Sequence, residues 1–328
     1  MTVLGIESTA HTFGVGVVDA AGTILAEEKA VYTPSEGGIH PREAAEHHQR
    51  ECLNVLRQAL GKARISLNQL DAIAFSQGPG LPPALRVGAV MARTLAQALH
   101  RPLLGVNHCV AHIEHARYFC KADRPMVVYL SGGNTQITTL EAGRYRIFGE
   151  TLDIALGNML DMFAREANLP HPGGPKIEAL ARQANGSYLP LPYTVKGMDL
   201  AFSGLLTAAK RCLAEGAPLP AICYSLQETA FAMIAEVTER AIAHTRRSEV
   251  IVTGGVAANA RLRDMLQVVA DEQSARFGTI PTQYAGDNGA MIAYTGLLLL
   301  QAKVTTPLSR SQVLPRWRLD QVHIPWGE

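Results

Sequence analysis

The chain has 328 residues and a net charge of +1, with 47% hydrophobic and 18% charged residues. This is the composition of an ordinary soluble globular protein, and the length allows two lobes with separate cores. Because the charge is nearly balanced, the protein as a whole does not attract nucleic acid, so an RNA substrate would need a local basic patch or a partner.

The cysteines and the apolar segments indicate the compartment. The five cysteines are odd in number and include no C-x-x-C pair, which argues against a disulfide framework and favours a reducing cytoplasm. The sequence starts directly with a strand-like run and lacks the pattern of a signal peptide. Its longest apolar stretch, Ala290 to Leu300, is too short to span a bilayer. We therefore expect a cytoplasmic protein without membrane association.

The first part of the chain alternates strands with helices. Apolar runs predict a hairpin of two strands, a long helix, a short buried strand, a Gly/Pro-rich loop, a second helix, and a fourth strand that leads into a helix with two histidines. The respective ranges are 3–7, 13–18, 42–63, 72–75, 78–83, 85–98 and 103–106. The periodicity of the first helix predicts an inward face of Ala45, Cys52, Leu53, Leu56 and Leu60.

The second part repeats the plan of the first. A second hairpin is predicted at 125–130 and 136–140, followed by a helix at 225–244, a strand at 250–253, a helix at 257–270 and a final helix from Asp287. Alternating strands and helices indicate an α/β fold. We expect an N-terminal lobe of residues 1–124 and a C-terminal lobe of residues 125–328, with the last helix able to pack back on the first lobe.

His108 and His112 are the leading metal-binding candidates. Residues four apart share one face of a helix, and two neutral imidazoles can bind one divalent cation. Such pairs are more often solvated or satisfied in a core. Asp287 is the candidate third ligand, although it stands where a helix N-cap is expected, and capping is the competing interpretation. Tyr129 could add a phenolic oxygen, or could be an ordinary strand aromatic.

Three turns that follow apolar strands suggest a nucleotide site. They are Ser8-Thr9, Ser131-Gly-Gly-Asn-Thr and Thr253-Gly-Gly-Val. Glycines let backbone amides approach phosphate closely, and hydroxyls add donors. Asp161 and Glu178, the carboxylates nearest to the Gly-rich segments, could bind a ribose or could be solvated helix charges. The P-loop, dinucleotide-binding and G-x-S-x-G motifs are absent.

Taken together, these motifs resemble one family over nearly the whole chain, from Leu4-Gly-Ile-Glu-Ser-Thr to Pro315-Arg-Trp-Arg. The intervening matches are Gln77-Gly-Pro-Gly-Leu-Pro-Pro, Asn107-His-Cys-Val-Ala-His112, Ser131-Gly-Gly-Asn-Thr-Gln, Gly173-Gly-Pro-Lys-Ile-Glu178, Phe202-Ser-Gly-Leu, Gly254-Gly-Val-Ala-Ala-Asn259 and Gly286-Asp-Asn-Gly-Ala-Met. The family is the universal tRNA threonylcarbamoyladenosine synthase, in the archaeal and eukaryotic form of the KEOPS complex. Asn134 and the Pro-Pro at 82–83 resemble that branch.

The resemblance implies an actin, sugar-kinase and Hsp70-like (ASKHA) fold of two related lobes with a central cleft. It implies transfer of threonylcarbamoyl from threonylcarbamoyl-adenylate to the exocyclic amine of the adenosine 3′-adjacent to the anticodon, in tRNAs reading codons that begin with A. The implied cofactors are one divalent metal, iron rather than zinc, and an ATP/AMP-type nucleotide. The implied metal ligands are His108, His112, Tyr129 and Asp287. The implied substrate- or nucleotide-binding residues are Tyr129, Leu130, Ser131, Gly132, Gly133, Asp161, Gly174, Glu178 and Asn259.

The implied partners are tRNA, a separate threonylcarbamoyl-adenylate synthase, and the KEOPS-type subunits: a small atypical kinase/ATPase, a dimerising subunit and an accessory subunit. Three alternatives remain open. A metal-dependent peptidase is disfavoured because Cys109 stands where the glutamate of His-Glu-x-x-His would be. A small-molecule kinase of the same fold would act on ATP without tRNA. A non-catalytic nucleotide-binding subunit would not need the metal.

Overall fold

Two five-stranded sheets organise the chain in the computed structural model, which describes residues 1–34 and 38–327. The strands are β1 (Val3–Glu7), β2 (Thr12–Val18), β3 (Ile24–Val31), β4 (Ala72–Gly78), β5 (Leu103–Asn107), β6 (Met126–Leu130), β7 (Thr135–Glu141), β8 (Arg144–Glu150), β9 (Val195–Lys196), β10 (Asp199–Leu200), β11 (Glu249–Thr253) and β12 (Arg276–Thr279). The short strands β9 and β10 form a separate two-stranded sheet.

Helices separate many of the strands, as is typical of an α/β fold. They are α1 (Pro41–Ala63), α2 (Pro82–Ala98), α3 (His108–Cys120), α4 (Leu156–Glu166), α5 (Gly173–Ala181), α6 (Ser203–Ala214), α7 (Leu219–Thr245), α8 (Ala260–Glu272), α9 (Thr282–Ala285) and α10 (Gly289–Gln301). Among the described residues, no helix is both long enough and apolar enough to cross a membrane.

The two sheets follow the same topological plan. The first has the order β3-β2-β1-β4-β5, and the second has the order β8-β7-β6-β11-β12. In each, an antiparallel hairpin (β1–β2 or β6–β7) is extended by two parallel strands. The repeated hairpins predicted from the sequence are therefore confirmed, and each is part of a repeated five-stranded sheet.

The chain divides into two compact units. Unit 1 comprises residues 1–115, 141–145 and 287–328, and unit 2 comprises residues 116–140 and 146–286. The division differs from the predicted lobes of residues 1–124 and 125–328, because α3 runs on past His115 into unit 2. Helix α10 belongs to unit 1, as the option of a returning last helix had allowed.

Backbone-to-backbone contact joins α10 to the first sheet. A Cβ atom added at Gly5 would lie 2.1 Å from the Ala293 nitrogen, and one at Gly16 would lie 2.2 Å from the Ala290 nitrogen. On the helix itself, a Cβ at Gly289 would lie 2.2 Å from the Gly16 nitrogen. We call these three glycines the glycine seam. Their lack of side chains lets α10 lie directly on β1 and β2.

One face prediction for α1 is wrong. Ala45 and Leu56 are buried as expected, but the side chain of Leu53 is 57% exposed. The buried positions are instead Ala44, Ala45, His48, Val55, Leu56 and Ala59. The helix buries small and polar residues that the apolar count did not rank, and Leu53 lies beside a surface groove between α1 and α2.

Candidate metal centre

His108, His112 and Asp287 meet within unit 1. One potential ligand atom from each of the three lies within 4.8 Å of the others. The Asp287 Oδ1 atom is 3.1 Å from His112 Nε2 and 3.6 Å from His108 Nε2. Both histidines are buried, at 6% and 1% exposure. The three side chains that the sequence put forward for a metal site are thus brought together from positions far apart in the chain.

The two histidines share one helical face because they are four residues apart on α3, which begins directly after β5. The Asn107 Oδ1 atom accepts hydrogen bonds from the backbone nitrogens of Cys109 and Val110, at 3.0 and 3.1 Å. This caps the orphan amides of the first turn and starts the helix at His108. The two imidazole rings then lie edge to face, with centroids 4.7 Å apart. The predicted helix with two histidines is confirmed.

Asp287 does not cap the last helix, contrary to the interpretation that competed with metal binding. The N-cap is Asn288, whose Oδ1 accepts from the Met291 nitrogen at 2.9 Å. The Glu27 carboxylate covers the other first-turn amides and accepts from Gly289 and Ala290. With the capping done by these two residues, the Asp287 carboxylate is directed to the histidines.

Glu7 is a site residue that the sequence analysis did not single out. It ends β1 fully buried, and its Oε2 lies 3.0 Å from His108 Nδ1. Its Oε1 accepts from the Thr9 nitrogen at 2.7 Å and from the Thr9 hydroxyl at 2.5 Å. When a carboxylate is hydrogen-bonded to one imidazole nitrogen, the other nitrogen is available as a metal ligand. The signal in the sequence is a glutamate at the end of an otherwise apolar buried strand, where an unpaired charge would be costly.

The charges around His108, His112 and Asp287 favour the binding of a cation. Burial alone would lower the pKa of His108, but the carboxylates of Glu7 and Asp287 raise that pKa to about 9. Burial opposes ionisation of Asp287, yet His108 and His112 hold its pKa well below the usual range. Burial lowers the pKa of His112 and so favours the neutral, ligating imidazole. The set of two imidazoles and one carboxylate is a common one for divalent transition metals.

Tyr129 is fully buried on β6, within unit 2. Its hydroxyl oxygen is 3.5 Å from Asn134 Nδ2, at the other end of the same turn. Its role as a fourth ligand stays a prediction. Leu130 is also buried, and its carbonyl packs under Gly254, where an added Cβ would lie 2.2 Å from the carbonyl oxygen.

The turn after β6 presents two glycines to open space. Ser131 closes the turn by donating its backbone N–H to the Asn134 carbonyl at 2.8 Å, and by accepting from the Asn134 nitrogen on its hydroxyl at 3.0 Å. A Cβ added at Gly132 or Gly133 would meet no atom within 4 Å. Packing within the described protein therefore does not require glycine at these two positions, which is consistent with a close approach by a ligand.

The other proposed nucleotide residues already have structural partners in unit 2. Asp161 Oδ1 accepts from the Gly173 nitrogen at 2.8 Å. Glu178 Oε1 accepts from the Ala260 nitrogen at 3.1 Å, at the start of α8.

Asn259 is the N-cap of α8, where its Oδ1 accepts from the Leu262 nitrogen at 3.2 Å. A Cβ at Gly174 would reach only the end of the Leu160 side chain, at 4.0 Å. Gly174 therefore resembles the open glycines of the turn after β6, whereas Asp161, Glu178 and Asn259 have structural roles whether or not they bind ligand.

The fold is that of the actin, sugar-kinase and Hsp70-like class. A crystal structure of HypF from T. kodakarensis is similar with a TM-score of 0.66 and 17% sequence identity, over 95% of this chain and 49% of that chain. The sequence model of the family described as tRNA N6-adenosine threonylcarbamoyltransferase, TsaD, matches residues 23–294. The chain belongs to this family.

Relatives of two lengths match the chain. A tRNA N6-adenosine threonylcarbamoyltransferase from Methanothrix thermoacetophila is 54% identical over the full length of both proteins. A probable bifunctional tRNA threonylcarbamoyladenosine biosynthesis protein from Methanocorpusculum labreanum is 56% identical over 99% of this chain. The chain spans 60% of the length of that bifunctional relative.

Proposed function

We propose that this chain transfers a threonylcarbamoyl group from threonylcarbamoyl-adenylate to the exocyclic amine of the adenosine 3′-adjacent to the anticodon, in tRNAs reading codons that begin with A. The observation that carries this proposal is the cluster of the buried His108 and His112 with the partly buried Asp287 in a chain of the TsaD family. The metal-dependent peptidase and the small-molecule kinase are not favoured, because the relatives are named as tRNA-modifying enzymes.

His108, His112 and Asp287 would hold one divalent metal, with Tyr129 as a further ligand. Iron is proposed over zinc because the resemblance to the family implies it; a set of two histidines and a carboxylate without a thiolate suits either metal. When bound, the metal supplies Lewis acidity toward carbonyl or carboxylate oxygens of the donor. Glu7 would keep His108 oriented with its Nε2 toward the metal.

The turn of Ser131, Gly132 and Gly133 would bind the adenylate through backbone N–H groups, as the open space at its glycines supports. Gly174, Asp161, Glu178 and Asn259 would complete the nucleotide site in unit 2. In the reaction, the tRNA amine would form a bond to the carbamoyl carbon while the bond from that carbon to the AMP oxygen breaks; AMP leaves, and the amine releases one proton to solvent. The nucleophile comes from the RNA, so no serine or cysteine nucleophile is needed.

Partners would complete the activity. We propose a cytoplasmic protein that receives its donor from a separate threonylcarbamoyl-adenylate synthase. It would act with KEOPS-type subunits: a small atypical kinase/ATPase, a dimerising subunit and an accessory subunit. The net charge of +1 supports this dependence, since it supplies little general attraction for tRNA. The greater length of the bifunctional relatives is consistent with a partner activity carried on the same chain there.

The test is incorporation of labelled threonine into tRNA by the full chain, with the donor-forming enzyme and KEOPS-type partners present. His112→Ala is expected to lose bound metal and nearly all incorporation while keeping its fold by circular dichroism. His244→Ala, which removes an exposed histidine from α7, is the matched control and should retain both. Full incorporation by a metal-free His112→Ala protein would remove the metal from the reaction. No incorporation by wild type, with every other component active, would overturn the proposed function.

A further inference from the structure

The C-terminal segment, residues 302–327, is hydrogen-bonded to β4, to β5 and to the loop after β4 in unit 1. Its backbone makes hydrogen bonds from Thr306 N to Leu103 O, from Leu314 N to Gln77 O and from Gly80 N to Pro315 O, at 2.7–3.2 Å. The Gln77 side chain adds bonds to the carbonyls of Arg310 and Gln312, at 2.9 and 2.8 Å. The segment thus begins its contacts at the amino end of β5 and reaches the carboxyl end of β4.

Asn107 connects this segment to the helix of the metal site. Its Nδ2 donates to the Trp317 carbonyl at 3.1 Å, while its Oδ1 caps the first turn of α3. His108 is the next residue along the chain. The Asn107 side chain therefore links the backbone of Trp317 directly to the first turn of α3, which contains His108.

The side chains on this stretch have the chemistry of an RNA contact. Arg316 and Arg318 are exposed and flank the half-buried Trp317. Arg318 is paired with Asp320 at 3.1 Å. Within residues 1–34 and 38–327, no acidic side chain forms an ion pair with Arg316. A free guanidinium binds phosphate, and an indole stacks on unpaired bases.

We propose that Arg316 and Trp317 form a contact surface for the acceptor tRNA, with Arg316 on a backbone phosphate and Trp317 on an unstacked base of the anticodon loop. This inference rests on the proposed function, which makes an anticodon-loop adenosine the acceptor. A protein with a net charge of +1 needs a local basic site or a partner to bind RNA, and this basic site lies beside the candidate metal centre. The contact would position the acceptor amine at the metal site and takes no part in proton transfer.

The experiment measures binding of an unmodified tRNA transcript, reading a codon that begins with A, to the intact chain across a range of KCl concentrations. Arg316→Gln is expected to weaken binding several-fold at low salt, and to reduce the slope of log affinity against log salt by about 0.7 to 0.9 through the loss of one phosphate contact. Trp317→Leu is expected to weaken binding roughly tenfold at every salt concentration with the slope unchanged.

Lys303→Gln is the matched control. It removes one exposed positive charge from the same segment at the far end of α10, about 20 Å from Asp287 by the rise of the helix. It should leave both slope and affinity at the wild-type values. Equal metal content in Arg316→Gln and wild type would show that the metal centre is intact.

Three results would overturn the inference: no measurable tRNA binding by wild type at low salt, a wild-type slope and affinity in Arg316→Gln, or an equal loss in Lys303→Gln. In the transfer assay, Arg316→Gln should raise the KM for tRNA with kcat retained. Failure of the proposed function is a separate result, because wild type would then bind tRNA and still transfer nothing with active partners.

Discussion

The two sheets share one strand order, but each is covered by its helix through a different kind of contact. In unit 1, α10 lies on β1 and β2 through the glycine seam, with backbone against backbone. In unit 2, β6 and β7 contain no glycine, and α7 packs through large apolar side chains such as Phe231 and Ile234. The comparison separates two uses of glycine. In unit 1, glycine lets the backbones of α10 and the sheet touch, which positions Asp287 just before that helix. In the turn after β6, glycine leaves room for a ligand.

The largest expected effect is at the glycine seam. Gly16→Ala would put a methyl group 2.2 Å from the Ala290 nitrogen, on backbone that cannot give way without moving α10. We expect a loss of about 3 kcal/mol or more in the free energy of unfolding, by the cost of overpacking a rigid site. Metal affinity should fall as well, since Asp287 immediately precedes that helix.

Urea unfolding and metal titration would check this. Gly61→Ala, in α1, provides the control because a Cβ there meets nothing within 4 Å, and it should not destabilise the protein. A Gly16→Ala protein as stable as wild type would show that the two backbones can separate at little cost.

The second expected effect concerns Glu7. Glu7→Gln removes the charged partner of His108 Nδ1 and should lower metal affinity about 10- to 100-fold, as is usual for residues that orient a metal ligand. The fold should remain, because the amide oxygen can still accept from Thr9. Metal-binding calorimetry is the measurement. Glu28→Gln removes a carboxylate that pairs with Lys62 at the surface, and should leave affinity unchanged. If Glu7→Gln and Glu28→Gln bind the metal with equal affinity, Glu7 does not orient His108.

The third expected effect is at the open glycines of unit 2. Gly132→Ala should change the free energy of unfolding by less than about 0.5 kcal/mol, since the new methyl group meets open space. It should weaken AMP binding by about tenfold if the turn's amides contact the phosphate. Equilibrium binding of AMP and thermal unfolding would be measured on the same preparation. Unchanged AMP affinity would mean that the nucleotide does not approach this turn.

A fourth expected effect is a pH dependence of stability due to Glu27. Burial raises the pKa of Glu27 from 4.5 to about 8, against the opposing effect of its hydrogen bonds from Ala290 and Gly289. The folded chain therefore binds this proton more tightly than the unfolded chain. The resulting stabilisation is complete below pH 4.5 and is lost as the pH rises toward 8.

Glu27→Gln should flatten this part of the stability curve, as measured by urea unfolding between pH 5 and 8. Glu28→Gln, at the neighbouring surface position, should keep the wild-type dependence. If both variants and wild type give parallel curves, Glu27 does not titrate in this range.

The sequence patterns predicted the buried strands and helices that have a regular apolar repeat. The hairpins β1–β2 and β6–β7, and the helix with two histidines, follow from strong apolar periodicity and from a spacing of four residues. The edge strands β3 and β8 escaped the analysis because charged residues interrupt them, as is common for strands with one unpaired side. The edge strand β5, which contains no charged residue, was predicted, so the charges and not the edge position alone weaken the signal.

Long-range contacts account for what the sequence did not reveal at the site. Asp287 looked like a helix cap, and only the placement of Asn288 and Glu27 at the first turn of α10 shows that it is free for another role. Likewise, the contact between Glu7 and His108 joins residues 101 positions apart. Local patterns cannot encode such pairings, which arise when strand ends meet at one edge of a sheet.

The glycine seam also constrains how this protein can vary over evolutionary time. At Gly5, Gly16 and Gly289, every one-step mutation adds a side chain where no volume exists, and a compensating change elsewhere would have to displace main chain rather than trim a neighbour. Descendants that keep this fold should therefore inherit these glycines whatever substrate they adopt. At Gly132 and Gly133, by contrast, any restriction on inheritance would come from the ligand and would disappear if the ligand changed.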